Sequence, residues 1–430
     1  MSLVTVSLLG LGALFLLMML RMPIAFAMFI VGFVGLLVVV SPAAAFTVLT
    51  SDLWNQLSSY TLSVIPLYIL MGEILFRTGV TRSLFETAYT WMGHLKGGMA
   101  AAVVMASAGF AAICGSNSAS AAAMCTIALP ELKKIKYNDS LSTGAVAAGG
   151  TLGIIIPPST VLIIIALQTE QSVRQLFVAS VIPGILLMLL FLGTVFYLCH
   201  RNPSMGPTGP KATLQERLAS LPGLLPTLLL FTFVIGGLFL GWFTPTESGA
   251  FGALGAMIIA MAMKSLTLDN LREALYSTIK SSTMVITLII GALLFGRFLA
   301  ITRLPYEIAE FVNTLDVMPF VVLAVILAIY LIGGSLMDAL GFLIISIPIF
   351  YPTIISLGYD PLWFAVVLCI VTSAGAITPP VGVNAFVVKG LAPAVPMMSI
   401  FKGSSIFLVS YLILLAILIA FPQIVTFAVK

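Results

Sequence analysis

Two pairs of adjacent prolines, Pro157-Pro158 and Pro379-Pro380, each interrupt a long apolar stretch, and the pairs stand 222 residues apart. Adjacent prolines remove two backbone donors and push the residue before them off helical dihedrals, so neither stretch can be one continuous helix. The spacing belongs to a register. Under the same shift Pro130 falls on Pro352, Tyr137 on Tyr359, Asn138 on Asp360, Thr151 on Ser373 and Gly153 on Gly375. With a one-residue slip, Arg82 and Glu86 fall on Arg303 and Glu307. Residues 61–166 therefore repeat as 283–388.

What surrounds the breaks is fixed by composition. Of 430 residues 60% are hydrophobic and only 8% charged, outside the range of soluble domains, so the chain is expected to be an all-α polytopic membrane protein. No basic residue precedes the first apolar run and Arg21 follows it, so residues 3–20 are expected to be a retained span and not a signal peptide. Cys114, Cys125, Cys199 and Cys369 lie in apolar segments without a C-x-x-C pair, which argues against a disulfide framework or a zinc site. His94 and His200 fall at expected span ends and read as interfacial. No basic face, aromatic platform or Gly-rich phosphate loop points to nucleic acid or nucleotide, and the absence of a Walker loop argues against ATP-driven transport.

Apolar periodicity places crossings near 3–20, 22–40, 60–76, 141–167, 176–199, 222–243, 246–263, 281–300, 362–388 and 404–428, with hairpins at 98–129 and 318–357. Residues 41–59 are semi-polar and read as interfacial. The polar link 200–221, with Pro203, Pro207, Gly209 and Pro210, divides the chain. The expected organisation is then N-terminal scaffold helices (1–60), repeat 1 (61–166), central helices with the link (167–282), repeat 2 (283–388) and a C-terminal scaffold helix (389–430). With both termini outside, inner loops and span ends hold 15 of the 19 Lys and Arg residues. Arg174, Arg303 and Lys430 stay outside, Arg297 sits near an outer span end, and the outer loop after residue 300 is acidic through Glu307, Glu310 and Asp316. The positive-inside rule favours that orientation. It opens the first hairpin to the cytoplasm and the second to the outside. Five crossings separate the start of one repeat from the start of the next, an odd number, so the copies are inverted; the parity is the same if either hairpin is two full spans.

Each repeat carries a hairpin with a small, polar tip. The first tip is Cys114-Gly115-Ser116-Asn117-Ser118-Ala119-Ser120, between apolar flanks of about nine to fourteen residues, short of the roughly 20 that cross a bilayer. The second is Gly333-Gly334-Ser335-Leu336-Met337-Asp338. A non-helical tip at membrane depth is tolerated only where it is buried in protein or lines a watery cavity. Alone, the first tip reads equally as a small-residue packing seam; its second copy shifts the balance. The breaks at Thr151-Leu152-Gly153 with Pro157-Pro158, and at Ser373-Ala374-Gly375 with Thr378 and Pro379-Pro380, free carbonyls that can hold a hard cation. The half-helix N-termini they leave suit a carboxylate. Inverted repeats with matched breaks are the pattern of secondary transporters.

Asp338, an acid at membrane depth, is expected to support an ion site or orient its hairpin, with helix capping as the plainer reading. Glu73 pairs across helices or faces a water-filled cavity. Arg297 reads as a snorkelling residue before a substrate contact. Thr244-Pro245-Thr246-Glu247 reads as a capping box.

Together these motifs resemble the large membrane subunit of tripartite ATP-independent periplasmic (TRAP) transporters, the DctM-like family. The resemblance rests on Gly115-Ser116-Asn117-Ser118-Ala119-Ser120, Gly153-Ile154-Ile155-Ile156-Pro157-Pro158-Ser159, Thr244-Pro245-Thr246-Glu247 and Thr378-Pro379-Pro380-Val381-Gly382, and covers nearly the whole chain. It implies an elevator-type permease of the bacterial inner (cytoplasmic) membrane that uses sodium as coupling ion and no other cofactor. Its solutes would be organic acids such as dicarboxylates or sugar acids. A periplasmic substrate-binding protein would deliver them, and a small four-span membrane subunit, expected here as a separate polypeptide, would brace the scaffold. By the same resemblance sodium would be held by Ser116, Asn117, Thr151 and Gly153 in the first half-site and by Gly334, Asp338, Ser373, Gly375 and Thr378 in the second. Substrate would meet Ser116, Asn117, Ser118, Pro158, Ser159, Pro380 and Asn384. The alternatives are a stand-alone divalent-anion sodium symporter and a channel with re-entrant filter loops. An intramembrane aspartyl protease needs two carboxylates sharing a site, and Asp360 falls in an expected outer loop, so no enzymatic activity is expected.

Overall fold

The structure, a computed structural model, describes residues 2–314, 317–427 and 429; Asp316 and Lys430, both placed outside by the charge reading, lie beyond the described residues. Every regular element among them is helical. The helices start where the sequence supplies oxygen caps: Ser41, Asn138, Ser159, Ser172, Thr267, Asp338 and Asp360 each accept a backbone N–H of the first turn. Thr244 and Glu247 close the expected capping box on Pro245–Ala262.

Among the described residues five helices are long and apolar enough to cross a bilayer, or eight spans if each of three bent pairs counts as one. Leu8, Leu9, Phe15 and Leu16 of Leu3–Met19 are exposed, as are Leu228, Leu229, Phe239 and Leu240 further along. In a chain this apolar such faces meet lipid or protein, since no soluble surface would carry them. This is a multi-pass membrane protein.

Two layers follow from the side chains. One wall is made of helices that approach closely at glycines. The 34-residue helix Leu268–Ile301 lies along Ile24–Val39 so closely that a Cβ on Gly32 would fall 2.6 Å from the Leu294 carbonyl carbon. Pro245–Ala262 lies along Val64–Phe76, with Gly252 against Met71. The other layer holds the hairpins and broken helices of the repeats, whose first helices belong to the wall. The first hairpin, Gly98–Cys114 and Asn117–Lys134, packs on Asp139–Ile155; the second, Pro319–Leu336 and Ala339–Ser356, packs on Pro361–Gly375. Every residue from Leu141 to Ile155 and from Trp363 to Gly375 is buried, the signature of helices surrounded by protein. The segment Met397–Ile406 and Leu408–Ala420 packs against these core helices, with Gly403 on the Ser140 backbone.

Asn138 and Asp360, matched in sequence, both cap the helix that carries the break. Pro130 and Pro352, also matched, both lie inside the second arm of a hairpin. Four expectations are corrected. The arms of the first hairpin are 17 and 18 residues, longer than its apolar flanks implied, because Ser116 caps the second arm and Asn117–Ser120 are helical. Arg82 and Arg303 are not equivalent. Arg82 is inside Val80–Met92 and pairs with Glu86 at 2.8 Å, while Arg303 precedes Leu304–Thr314 at φ 59°, the place that Gly79, φ 79°, takes in the first repeat. The helix Val80–Met92 itself fills a stretch where apolar periodicity marked no element. Finally, Arg297 does more than snorkel: its Nε and Nη2 donate to Asp52 at 3.0 and 3.3 Å, tying Leu268–Ile301 to the semi-polar helix Pro42–Leu57.

Candidate functional site

Each hairpin is closed onto its broken helix by the same kind of contact. In the first repeat a Cβ on Gly153 would fall 2.5 Å from the Ser116 carbonyl oxygen, so only glycine admits the tip. The Gly115 carbonyl then accepts from the Thr160 backbone N–H at 3.4 Å and from its hydroxyl at 3.1 Å. In the second repeat a Cβ on Gly375 would fall 2.4 Å from the Gly334 carbonyl carbon, and the Ser335 carbonyl accepts from the N–H groups of Val381 and Gly382 at 3.1 and 3.0 Å. Thr160 and Gly382 are again 222 positions apart. The first break joins Asp139–Ile155 to Thr160–Gln168 with a bend of 43°. The second separates Pro361–Gly375 from Val383–Leu391. Both Pro-Pro peptide bonds are cis.

The carbonyls freed by the breaks already have protein donors. Ile154 O accepts from the Ser159 hydroxyl at 2.7 Å and from the Cys369 thiol at 3.0 Å. Ala374 O accepts from the Thr378 hydroxyl at 2.8 Å, and Ile377 O from Ser404 at 3.0 Å. Ile154 O with these two donors, and Ala374 O with Thr378 and the Ile377 N–H at 3.2 Å, have both lone pairs engaged, so these bonds fix the breaks and leave Ile377 O as the carbonyl of the three with an acceptor position to spare.

The two tips open onto one cavity of about 430 Å³. Its floor is Cys114 and Ser116–Ala119 of the first tip together with Asp338–Leu340 of the second. Ile154, Thr160 and Val161 of the first break form one side. The scaffold wall supplies Glu73 and Arg77 after Gly72, and Ser277 and Ser281 from the long helix. Ser116 and Asp338 each cap the second arm of their hairpin, accepting from Ala119 N at 3.4 Å and Leu340 N at 3.1 Å. Asn117 is buried, and its Nδ2 has no hydrogen-bond partner.

Of the residues expected from sequence, Ser116, Asn117, Ser118 and Asp338 meet in this cavity. Gly153, Gly334 and Gly375 are at the tip-on-break contacts. Thr151 and Ser373 are fully buried and meet through a third residue. The Tyr411 hydroxyl donates to Thr151 Oγ1 at 2.6 Å, and the Ser373 hydroxyl donates to Tyr411 at 3.0 Å. Ser159 is buried as the cap of Thr160–Gln168. Pro158 presents its carbonyl toward Gly115. Asn384 is buried against the first broken helix, donating from Nδ2 to Ala147 O at 3.1 Å, while its Oδ1 has no partner. Thr378 is half-buried and Pro380 exposed; neither they nor Asn384 reach the cavity. Sequence reasoning offered Glu73 a partner on another helix or a place at a cavity, and it lines the cavity while pairing with Arg77 one turn on; Arg77 was not singled out. Arg77 follows a 13-residue apolar helix, and its i,i+4 spacing from Glu73 was the available signal. Tyr411, next to Ser410 in an otherwise apolar helix, was missed.

Two hairpins, two broken helices in the same register and one shared cavity define an all-helical membrane transporter of the inverted-repeat class. The family model described as the tripartite ATP-independent periplasmic transporter, DctM component, matches residues 11–424. The chain belongs to that family. It is 34% identical over 377 residues to the C4-dicarboxylate TRAP transporter large permease protein DctM of Pseudomonas aeruginosa, covering 87% of this chain and 88% of that one. It is 29% identical over 403 residues to the sialic acid TRAP transporter large permease protein SiaM of Vibrio cholerae, covering 94% and 93%. In fold it is similar to the Alcanivorax borkumensis YdaH transporter, with a TM-score of 0.62 at 14% identity over 89% of this chain and 90% of that one.

Proposed function

We propose that the chain is the large permease subunit of a sodium-coupled secondary transporter that imports organic acids by an elevator movement of its hairpin layer against its scaffold wall. The observation that carries this reading is the cavity: the two repeat-related tips and the first break line one part of it, and the scaffold wall lines the other. A site built half from each layer changes its exposure when one layer slides on the other. The surroundings of the two breaks support the same idea. Residues 151–160 around the first are all buried, whereas Pro379 and Pro380 of the second are exposed. Two copies with like internal contacts and unlike exposure fit one state of a two-state exchange. The substrate class follows from relatives named for C4-dicarboxylate and sialic acid, both organic acids. A periplasmic binding protein that delivers the solute and a small membrane subunit beside the scaffold complete the transporter.

The test is uptake of labelled succinate and N-acetylneuraminate into proteoliposomes holding the chain with both partners. Uptake is expected only with sodium high outside. Equal uptake with sodium replaced by potassium would remove sodium coupling, and full uptake without the binding protein would favour a stand-alone symporter.

A further inference from the structure

The cavity wall contains one cationic side chain, Arg77, beside the carboxylates of Glu73 and Asp338. An organic acid entering this space meets net negative charge unless it finds that cation or brings one of its own. The three nitrogens of Arg77 are not equally engaged. Nη1 is taken by Glu73, both by its carboxylate, one turn back on the same helix, and by its backbone carbonyl at 3.1 Å. Nη2 donates only to the Ser277 hydroxyl at 3.1 Å. Nε is buried without a hydrogen-bond partner; its nearest carboxylate, Glu273, lies at 3.5 Å and is 70% exposed. The free edge of the guanidinium is therefore the Nε–Nη2 edge, the pair of parallel donors that matches a carboxylate in bidentate geometry. Glu73 keeps the planar group from turning by holding the opposite corner, and the Phe76 ring lies 5.9 Å from its carbon.

Resting on the organic-acid reading above, we propose that the Nε–Nη2 edge of Arg77, with the Ser277 hydroxyl beside it, seats one carboxylate of the transported acid, and that Glu273 is the counter-ion displaced when the acid arrives. An exposed carboxylate at 3.5 Å binds weakly and leaves readily. A substrate carboxylate would make the two-point contact that Glu273 does not. The seat belongs to the scaffold wall, whereas Ser116 and Asp338 belong to the hairpin layer. The acid bridges the two layers in this state and loses the Arg77 contact when they slide apart.

The experiment is a thermal-stabilisation titration of the detergent-purified full chain with succinate and with N-acetylneuraminate. Total sodium is held constant with sodium chloride. Wild-type protein is expected to be stabilised by at least one acid, since a ligand that binds only the folded state raises the melting temperature. Arg77→Lys, which keeps charge but loses the fork, should raise the half-maximal concentration about tenfold or more, and Arg77→Gln further. Glu273→Gln should lower it by about two- to fivefold, because an exposed competitor is removed. The last variant moves the readout in the opposite direction and lies on the surface, so loss of folding cannot mimic it. The double variant Glu73→Gln/Arg77→Gln, neutral overall, should bind as poorly as Arg77→Gln. If neither acid stabilises the wild type, the organic-acid reading fails and this seat falls with it. If an acid does so and Arg77→Gln or Glu273→Gln leaves the titration unchanged, the seat alone is overturned.

Discussion

Ser116 and Asp338 occupy the same position in two copies of one motif. They stand 222 residues apart, each caps the second arm of its hairpin, and their side chains line one cavity. One copy carries a neutral hydroxyl and the other a carboxylate, so the cavity is built symmetrically and charged asymmetrically. Capping and charge can be separated by substitution. Asn caps about as well as Asp, whereas Ala costs about 1 kcal/mol at a cap. Asp338→Asn is therefore expected to melt within about 0.5 kcal/mol of wild type and Asp338→Ala about 1 kcal/mol below it. If the carboxylate also serves a cation, both lose sodium activation of uptake alike despite their different stabilities. Wild-type sodium activation in the Asn variant would restrict Asp338 to capping.

The tip-on-break contacts make a second prediction. Gly153→Ala and Gly375→Ala force a methyl to 2.5 Å from the Ser116 carbonyl oxygen and 2.4 Å from the Gly334 carbonyl carbon. Both neighbours are backbone and cannot swing aside, so each change is expected to cost about 1–3 kcal/mol in thermal denaturation in detergent. Gly12, where nothing lies within 4 Å, is the control, and Gly12→Ala should be neutral or slightly stabilising.

The repeat was legible because its marks are backbone chemistry: paired prolines, a glycine at the close approach, and Asn or Asp at a helix cap act through local rules that survive any tertiary setting. The family resemblance was legible on the same residues. Hairpin arm length was not, because Ala, Ser and Asn after the tip look like a loop by hydropathy and become helix once Ser116 caps them. The equivalence of Arg82 and Arg303 failed for a related reason: an exposed charge packs against nothing that fixes its place, and one of the two lies within a helix while the other precedes one. The scaffold wall of the cavity was invisible in sequence. Arg77 and Ser277 are 200 positions apart and meet only through packing of Val64–Phe76 on the long helix Leu268–Ile301. Tyr411 was hidden likewise, since Thr151 and Ser373 signalled a matched pair but nothing signalled what stands between them.

Asp52 and Arg297 test how much an ion pair contributes at the edge of the scaffold. The Arg297 side chain is 57% exposed and Asp52 only 9%. Exposure on one side caps the pair at about 0.2–1 kcal/mol, and a double-mutant cycle with Asp52→Asn and Arg297→Gln should return a coupling in that range. The single change Arg297→Gln should cost more than Asp52→Asn, because it strands the more buried charge. Raising salt should shrink the coupling if the solvent side governs it.

Tyr411 decides what the matched pair Thr151 and Ser373 is for. Its hydroxyl joins them across the repeats, 2.6 Å from one and 3.0 Å from the other, while its ring packs on Phe191 at 5.6 Å. Tyr411→Phe removes the hydroxyl and keeps the ring. Thr151 and Ser373 then still reach the carbonyls of Ala148 and Ile370, so no hydroxyl is left without a partner, and the expected cost is about 0.5–1.5 kcal/mol. A cycle of Tyr411→Phe with Ser373→Ala should be clearly non-additive, since both remove the same bond. Sodium gives the sharper reading. A cation on Thr151 and Ser373 must first displace the tyrosine hydroxyl, so removing that competitor should lower the half-saturating sodium concentration for uptake. If the concentration is unchanged while the melting temperature falls, these hydroxyls hold the two repeats together and the ion is bound elsewhere.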